Sequence, residues 1–138
     1  MTHQATELHM HSNRSQVMLA VFFIVAGCLH FIYPANYMKV MPPWLPAHLL
    51  LVLISGGFEI AGGIGVLIRP LRRIAGIGLI LLSLAVLPAN VQMLLNALAD
   101  GTALLGVVLL VLRLPLQFLL IYWIWRATQP TRLEQEQD

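Results

Sequence analysis

Four long apolar runs dominate the chain, at about residues 17–33, 47–68, 74–99 and 103–125, each separated from the next by a short polar or proline-containing segment. An α-helix needs about 20 predominantly apolar residues to cross a bilayer. Each run is therefore expected to span, and the short loops between them favour antiparallel neighbours. The expected architecture is all-α, an integral membrane four-helix antiparallel bundle with up-down-up-down order. The breaks have recognisable chemistry: Pro34 ends the first run, Arg69-Pro70 ends the second, and Asp100-Gly101 is a tight-turn signal between the last two. Between the first two spans lies ANYMKVMPPWLP, which is too short and too rich in proline to cross. Tyr37 and Trp44 favour the headgroup region, so this segment is expected to cap the bundle at the membrane surface. Residues 1–16 are polar and are expected to form a disordered N-terminal tail, and residues 127–138 form a polar C-terminal tail.

The second run, LLLVLISGGFEIAGGIGVLI from Leu49 to Ile68, organises the rest. Glu59 lies near its middle, and its helical neighbours three and four residues away are Ser55, Gly56, Gly62 and Gly63. A carboxylate facing lipid at that depth costs at least ~2.5 kcal/mol. Glu59 is therefore expected to point inward, on a face of small residues that lets another helix approach closely.

Composition agrees with the pattern. The chain is 59% hydrophobic and 10% charged, with a mean hydropathy of +0.81, whereas soluble domains carry about 25% charged residues. The net charge of +2 comes from arginines flanking spans and implies no nucleic-acid partner. With four spans, Arg14, Arg69, Arg72, Arg73, Arg126 and Arg132 fall on one side and Lys39 on the other. The positive-inside rule then places both termini in the cytoplasm, in a membrane expected to be the bacterial inner membrane. The polar N-terminus, with His3, His9 and His11, is expected to be a retained tail rather than a signal peptide. A single cysteine, Cys28, excludes an intramolecular disulfide and a CxxC redox pair.

The polar residues inside the spans carry the candidate chemistry. At about 1.5 Å of rise per residue, Glu59, Asn90 and Arg113 lie roughly 13–18 Å below the external surface, and His30 lies within about one turn of it. Gln117 is one turn beyond Arg113 on the same helix face. Glu59 and Arg113 match in depth and oppose in charge, so they are expected to pair, with Asn90 and Gln117 adding the hydrogen bonds a buried pair needs. Such a pair serves either a functional site or helix register alone. Pro88 is expected to free the Leu84 carbonyl and to kink the third span near Asn90. Gln92 and Asn96 mark a second polar stripe, open between a helix contact, a cavity lining and an oligomer contact. Gly57, Ala61 and Gly65 form a small-residue stripe that suits either a homodimer face or an internal contact. No metal site is expected, because no span carries HxxH or ExxH spacing.

The runs GCLHFIYPANYMKVMPPWLP, ISGGFEIAGGIGVLI followed by R-x-L-R-R, LPANVQM and RLPLQFLLIYW occur in an order that resembles the DoxX family of small membrane proteins, over about residues 20–126. The matching positions include His30, Pro34, Trp44, Ser55-Gly56, Glu59, Arg69, Pro88-Ala89-Asn90, Arg113, Pro115 and Gln117. The resemblance implies a four-helix membrane bundle. It also points to relatives that are quinone-linked subunits, components of membrane redox complexes or factors in receptor assembly. The chain lacks the cysteine pairs of related thiol-oxidising bundles.

Two functions follow as expectations. One is a redox-associated subunit binding a quinone or similar lipophilic ligand, with His30, Asn90 and Gln117 bonding its carbonyls and Glu59 with Arg113 setting the charge. No redox centre is encoded, so a membrane or redox protein partner would supply electrons, and the chain alone would not be a complete enzyme. The other is a non-catalytic assembly factor or lipid-binding scaffold whose polar cluster is structural. A small transporter is a weaker third reading, since no repeat or pair of broken helices is evident.

Overall fold

A computed structural model describes residues 2–130, with side chains described from Asn13 onward. The chain is all-α, with no strand among the described residues. The elements are α1 (Thr2–Ile32), α2 (Pro34–Met38), α3 (His48–Leu67), a short 3₁₀ turn (Arg69–Leu71), α4 (Arg72–Ala99) and α5 (Leu104–Thr128). Four helical segments, Asn13–Ile32, His48–Leu67, Arg69–Ala99 and Leu104–Thr128, are long and apolar enough to cross a membrane. They overlay the expected runs to within a few residues. The N-terminal tail differs from expectation, because helix α1 starts at Thr2 and continues through residues 2–16. Hydropathy reports where a helix meets lipid; it does not report where the helix begins. The expected environment of His3, His9 and His11 lies outside the described side chains, as do residues 131–138 of the expected C-terminal tail.

Side-chain distribution is that of a bundle dissolved in lipid. Large apolar residues such as Ile74, Leu81, Leu105 and Leu109 point outward, while Gln16, His30, Arg72, Ser83, Asn90 and Thr128 are buried. Lipid tails are as apolar as leucine, so seams between helices are made by small residues and polar bonds instead. Helix α1 lies along α3, α3 along α4, and α4 along α5. Gly27 of α1 lies against Gly56 of α3, where a Cβ would stand 2.6 Å from the Gly56 carbonyl oxygen. A Cβ on Gly63 would stand 2.9 Å from the Ala20 carbonyl oxygen. Only glycine permits these backbones to approach so closely. Across the α4–α5 seam Gly76 makes room for the Thr128 side chain.

The two ends of the bundle are built differently. At one end, Leu19, Phe23, Val66, Leu79, Ile124 and Ala127 form a buried apolar cluster. There α5 closes back onto α1: Trp123 Nε1 donates to Ser15 Oγ at 2.9 Å, and Gln16 Nε2 donates to the Ala127 carbonyl at 3.2 Å. Arg14, Arg69, Arg72, Arg73 and Arg126 belong to this basic end, and Arg72 Nε donates to the Val66 carbonyl at 3.0 Å near the C-terminus of α3. At the other end α2 and the proline-rich segment sit over the bundle. Gly101 (φ 66°) ends the helix preceding it, with Thr102 N–H bonding the Ala97 carbonyl at 3.0 Å as a left-handed C-terminal glycine allows.

Helix α4 continues through Pro88, from Arg72 to Ala99. Gln92 Nε2 donates to Asn96 Oδ1 at 2.8 Å, and Asn96 Nδ2 reaches the Lys39 carbonyl at 3.5 Å. The second polar stripe therefore ties the cap to α4. The stripe of Gly57, Ala61 and Gly65 is divided: Gly65 packs on Ala75, whereas Gly57 has nothing within 4 Å of a built Cβ.

Candidate functional site

The polar residues expected at the cap end do gather there, but in two groups rather than one. The first lies between α1 and α3. The close approach at Gly27 and Gly56 brings His30 against α3, where its Nδ1 lies 3.1 Å from the Val52 carbonyl and 3.1 Å from Ser55 Oγ. Ser55 Oγ itself donates to the Val52 carbonyl at 2.9 Å. A carbonyl only accepts, so Nδ1 carries the ring proton and the tautomer is assigned by this bond. In the neutral ring, Nε2 is then a bare acceptor. It faces Glu59 Oε2 at 3.8 Å, which is ion-pair distance but too long for a hydrogen bond. Glu59 Oε2 is buried and has no hydrogen-bond partner within the protein.

Two acceptors therefore face each other in a site nearly closed to its surroundings, the two side chains being 10% and 13% exposed. A proton, or a donor group placed between them, satisfies both. Tyr37 of α2 covers the pair, its ring 4.0 Å from that of His30, centroid to centroid. Burial pushes the Tyr37 phenol above its usual pKa; the charge of Glu59 adds to that rise and the charge of Arg113 opposes it. Tyr37 thus lies within the field of both charged residues.

The second group joins α4 to α5. Arg113 Nε donates to Asn90 Oδ1 at 3.0 Å. Asn90 Nδ2 donates to Gln117 Oε1 at 3.4 Å, and Gln117 Nε2 donates to the Ser83 carbonyl at 2.9 Å. Donor follows acceptor along the whole chain, which fixes the orientation of both amides. Pro88 removes the N–H that would bond the Leu84 carbonyl, but the carbonyl that Gln117 takes is that of Ser83, one residue earlier.

The expected Glu59–Arg113 ion pair is not formed: Glu59 faces His30, and Arg113 is held by Asn90. Counting helical rise places residues at a common depth, but it leaves open which helix each side chain turns toward. Asn90 and Gln117 are engaged with each other and with Arg113, each amide committing one of its two N–H donors to this network, so together they orient that arginine. An apolar groove of about 430 Å³ lies beside Pro88, between the cap and the outer face of α4, lined by Pro42, Trp44, Leu84, Pro88, Val91 and Leu95. Cys28 is exposed and takes no part in the site.

Tyr37 is the residue that sequence reasoning missed. Its ring suits a headgroup belt, and nothing in the local sequence indicates that the short helix after Pro34 folds back over His30. No group of three or more His, Cys, Asp or Glu able to hold a metal occurs among the described residues.

A family model described as a domain of unknown function (DUF8561) matches residues 19–128, and the chain belongs to that family. The match takes in the last three spans, most of the first and both polar groups. No curated protein and no solved structure matches the chain.

Proposed function

We propose that this membrane protein binds a lipophilic molecule bearing a hydroxyl or carbonyl, of the quinone class, at the His30–Glu59 pair beneath Tyr37. One observation carries the reading: two buried acceptors, His30 Nε2 and Glu59 Oε2, face each other at 3.8 Å, and the carboxylate oxygen has no partner in the protein. A buried polar atom without a partner costs about 1–3 kcal/mol. A quinol hydroxyl offers the donor that both groups lack; with a proton resident on the pair, a quinone carbonyl becomes a suitable acceptor. Intramembrane ionisable residues mark functional sites by default. The resemblance to DoxX relatives, which include quinone-linked subunits, supports the ligand class.

A quinone supplies two-electron redox chemistry when bound. His30 and Glu59 hold and pass the proton, Ser55 and the Val52 carbonyl fix the imidazole, and Tyr37 limits access of water. Electrons come from a membrane redox partner, so the chain acts as a subunit. Its basic end faces the cytoplasm of a bacterial inner membrane, in keeping with the positive-inside rule.

Thermal unfolding in a neutral detergent tests this reading. A short-chain quinone analogue in excess is expected to raise the midpoint of the wild type, as any ligand selective for the folded state does, and to leave Glu59→Gln unmoved. A wild type indifferent to the analogue, with Glu59→Gln simply unstable, would return the cluster to architecture and make the scaffold reading the better one.

A further inference from the structure

Arg113, whose Nε is held by Asn90, makes no bond to the pair just described. It is exposed, although it lies well inside α5 and no residue of that helix before Ile124 is buried. Its neighbours Leu109, Leu112 and Leu116 are 59%, 50% and 58% exposed. In a bundle of this kind that face meets lipid. A guanidinium on such a face is among the costliest groups a membrane protein can carry. The usual escape is to stretch toward the headgroups, but the bond from Nε to Asn90 Oδ1 prevents it. Asn90 and Gln117 are in turn locked to the Ser83 carbonyl. The network holds the guanidinium at depth, with its remaining donors making no hydrogen bond among the described residues. Glu59, the nearest available carboxylate by depth, is turned to His30.

We propose that Arg113 binds the anionic head of an amphiphile, a carboxylate or a phosphate, whose apolar chain lies along Leu109, Leu112 and Leu116. The chemistry is that of a planar donor fork, which matches the paired oxygens of either head group. An aliphatic chain along α5 continues the surface that lipid already covers, so only the head needs recognition. Asn90 is the positioning residue that presents the fork. This assignment is independent of the quinone reading, because it uses the α4–α5 network and none of the atoms of the His30–Glu59 pair.

The test uses the full chain in neutral detergent with three probes of equal chain length: dodecanoate, dodecyl phosphate and dodecanol. Either anion is expected to raise the unfolding midpoint, and the neutral alcohol is not. Dodecanoate acting alone identifies a free fatty acid as the source, and dodecyl phosphate acting alone identifies a phospholipid head. Arg113→Gln is expected to weaken the anion at least about tenfold, the factor for one charge-assisted hydrogen bond. Arg113→Lys retains the charge without the fork, and it is expected to keep the preference for anion over alcohol at reduced affinity; it serves if the glutamine variant does not fold. Glu59→Gln, which abolishes the quinone shift, is expected to leave the anion shift intact. Equal shifts by dodecanol and the anions, full anion binding by Arg113→Gln, or loss of the anion shift in Glu59→Gln would each overturn the proposal.

Discussion

The basic end and the cap end of this bundle use the same four helices and solve opposite problems. At the basic end α1 and α5 meet, and an apolar cluster of Leu19, Phe23, Val66, Leu79, Ile124 and Ala127 fills the space between all four. At the cap end α5 contributes no buried residue, and the helices are joined by polar bonds along the α1–α3 and α4–α5 seams instead. The difference separates stability from chemistry. Dispersion and close packing of the apolar cluster hold the basic end, whose arginines flank the bundle. The other end keeps a carboxylate and a guanidinium whose hydrogen-bonding capacity the protein itself does not use up.

The sharpest way to break this contrast is to damage the packed end. Leu79 is 1% exposed and packs over Gly62 of α3. Leu79→Ala is expected to cost about 2 kcal/mol or more, near the lower edge of the range for buried leucines. In lipid the term for transfer out of water is missing and only lost packing remains. Unfolding in detergent measures it, and a change below about 0.5 kcal/mol would show that the cluster does not hold the bundle together.

A change at the polar end should be smaller and local. Asn90→Ala leaves Arg113 and Gln117 without their shared partner, at an expected cost of about 1–3 kcal/mol. Amide exchange should rise in residues 104–113 while residues 120–128 stay protected, because the latter are held by the apolar cluster. Uniform loss of protection along α5 would mean that the two ends are not separate.

The smallest effect is expected at Gly57, which a Cβ can occupy with nothing within 4 Å. Gly57→Ala should change stability by no more than about 0.5 kcal/mol. A large loss of stability, or a change of mass on a sizing column, would instead make this face a contact between copies of the chain.

Much of the scaffold is legible in the residues alone. The lengths of the apolar runs set four crossings, and Pro34, Arg69-Pro70 and Asp100-Gly101 set their ends. The cost of a bare charge in lipid turned Glu59 inward, and glycine content marked α3 as the helix others approach closely. These are one-dimensional properties: length, periodicity and the energy of a side chain in a solvent. Residues 2–16 show the limit even there, since polarity indicated the absence of a span and helix formed regardless.

What tertiary structure decided is partnership. Counting residues gives a position along each helix but not the partner that a side chain meets across a seam. The rotation of each helix about its axis follows from packing, and it set Glu59 against His30 and Arg113 against Asn90. It also brought Tyr37 over the pair, since the turn after Pro34 directs α2 across the end of α1. A hydrogen bond depends on ångström-scale distances between groups remote in the chain, here 23 residues apart for Arg113 and Asn90. The sequence by itself determined which polar groups would lie within the apolar helices; packing decided which of them would meet, as at Gly27 and Gly56, where a Cβ would stand 2.6 Å from the opposing carbonyl oxygen and where only glycine lets His30 reach α3.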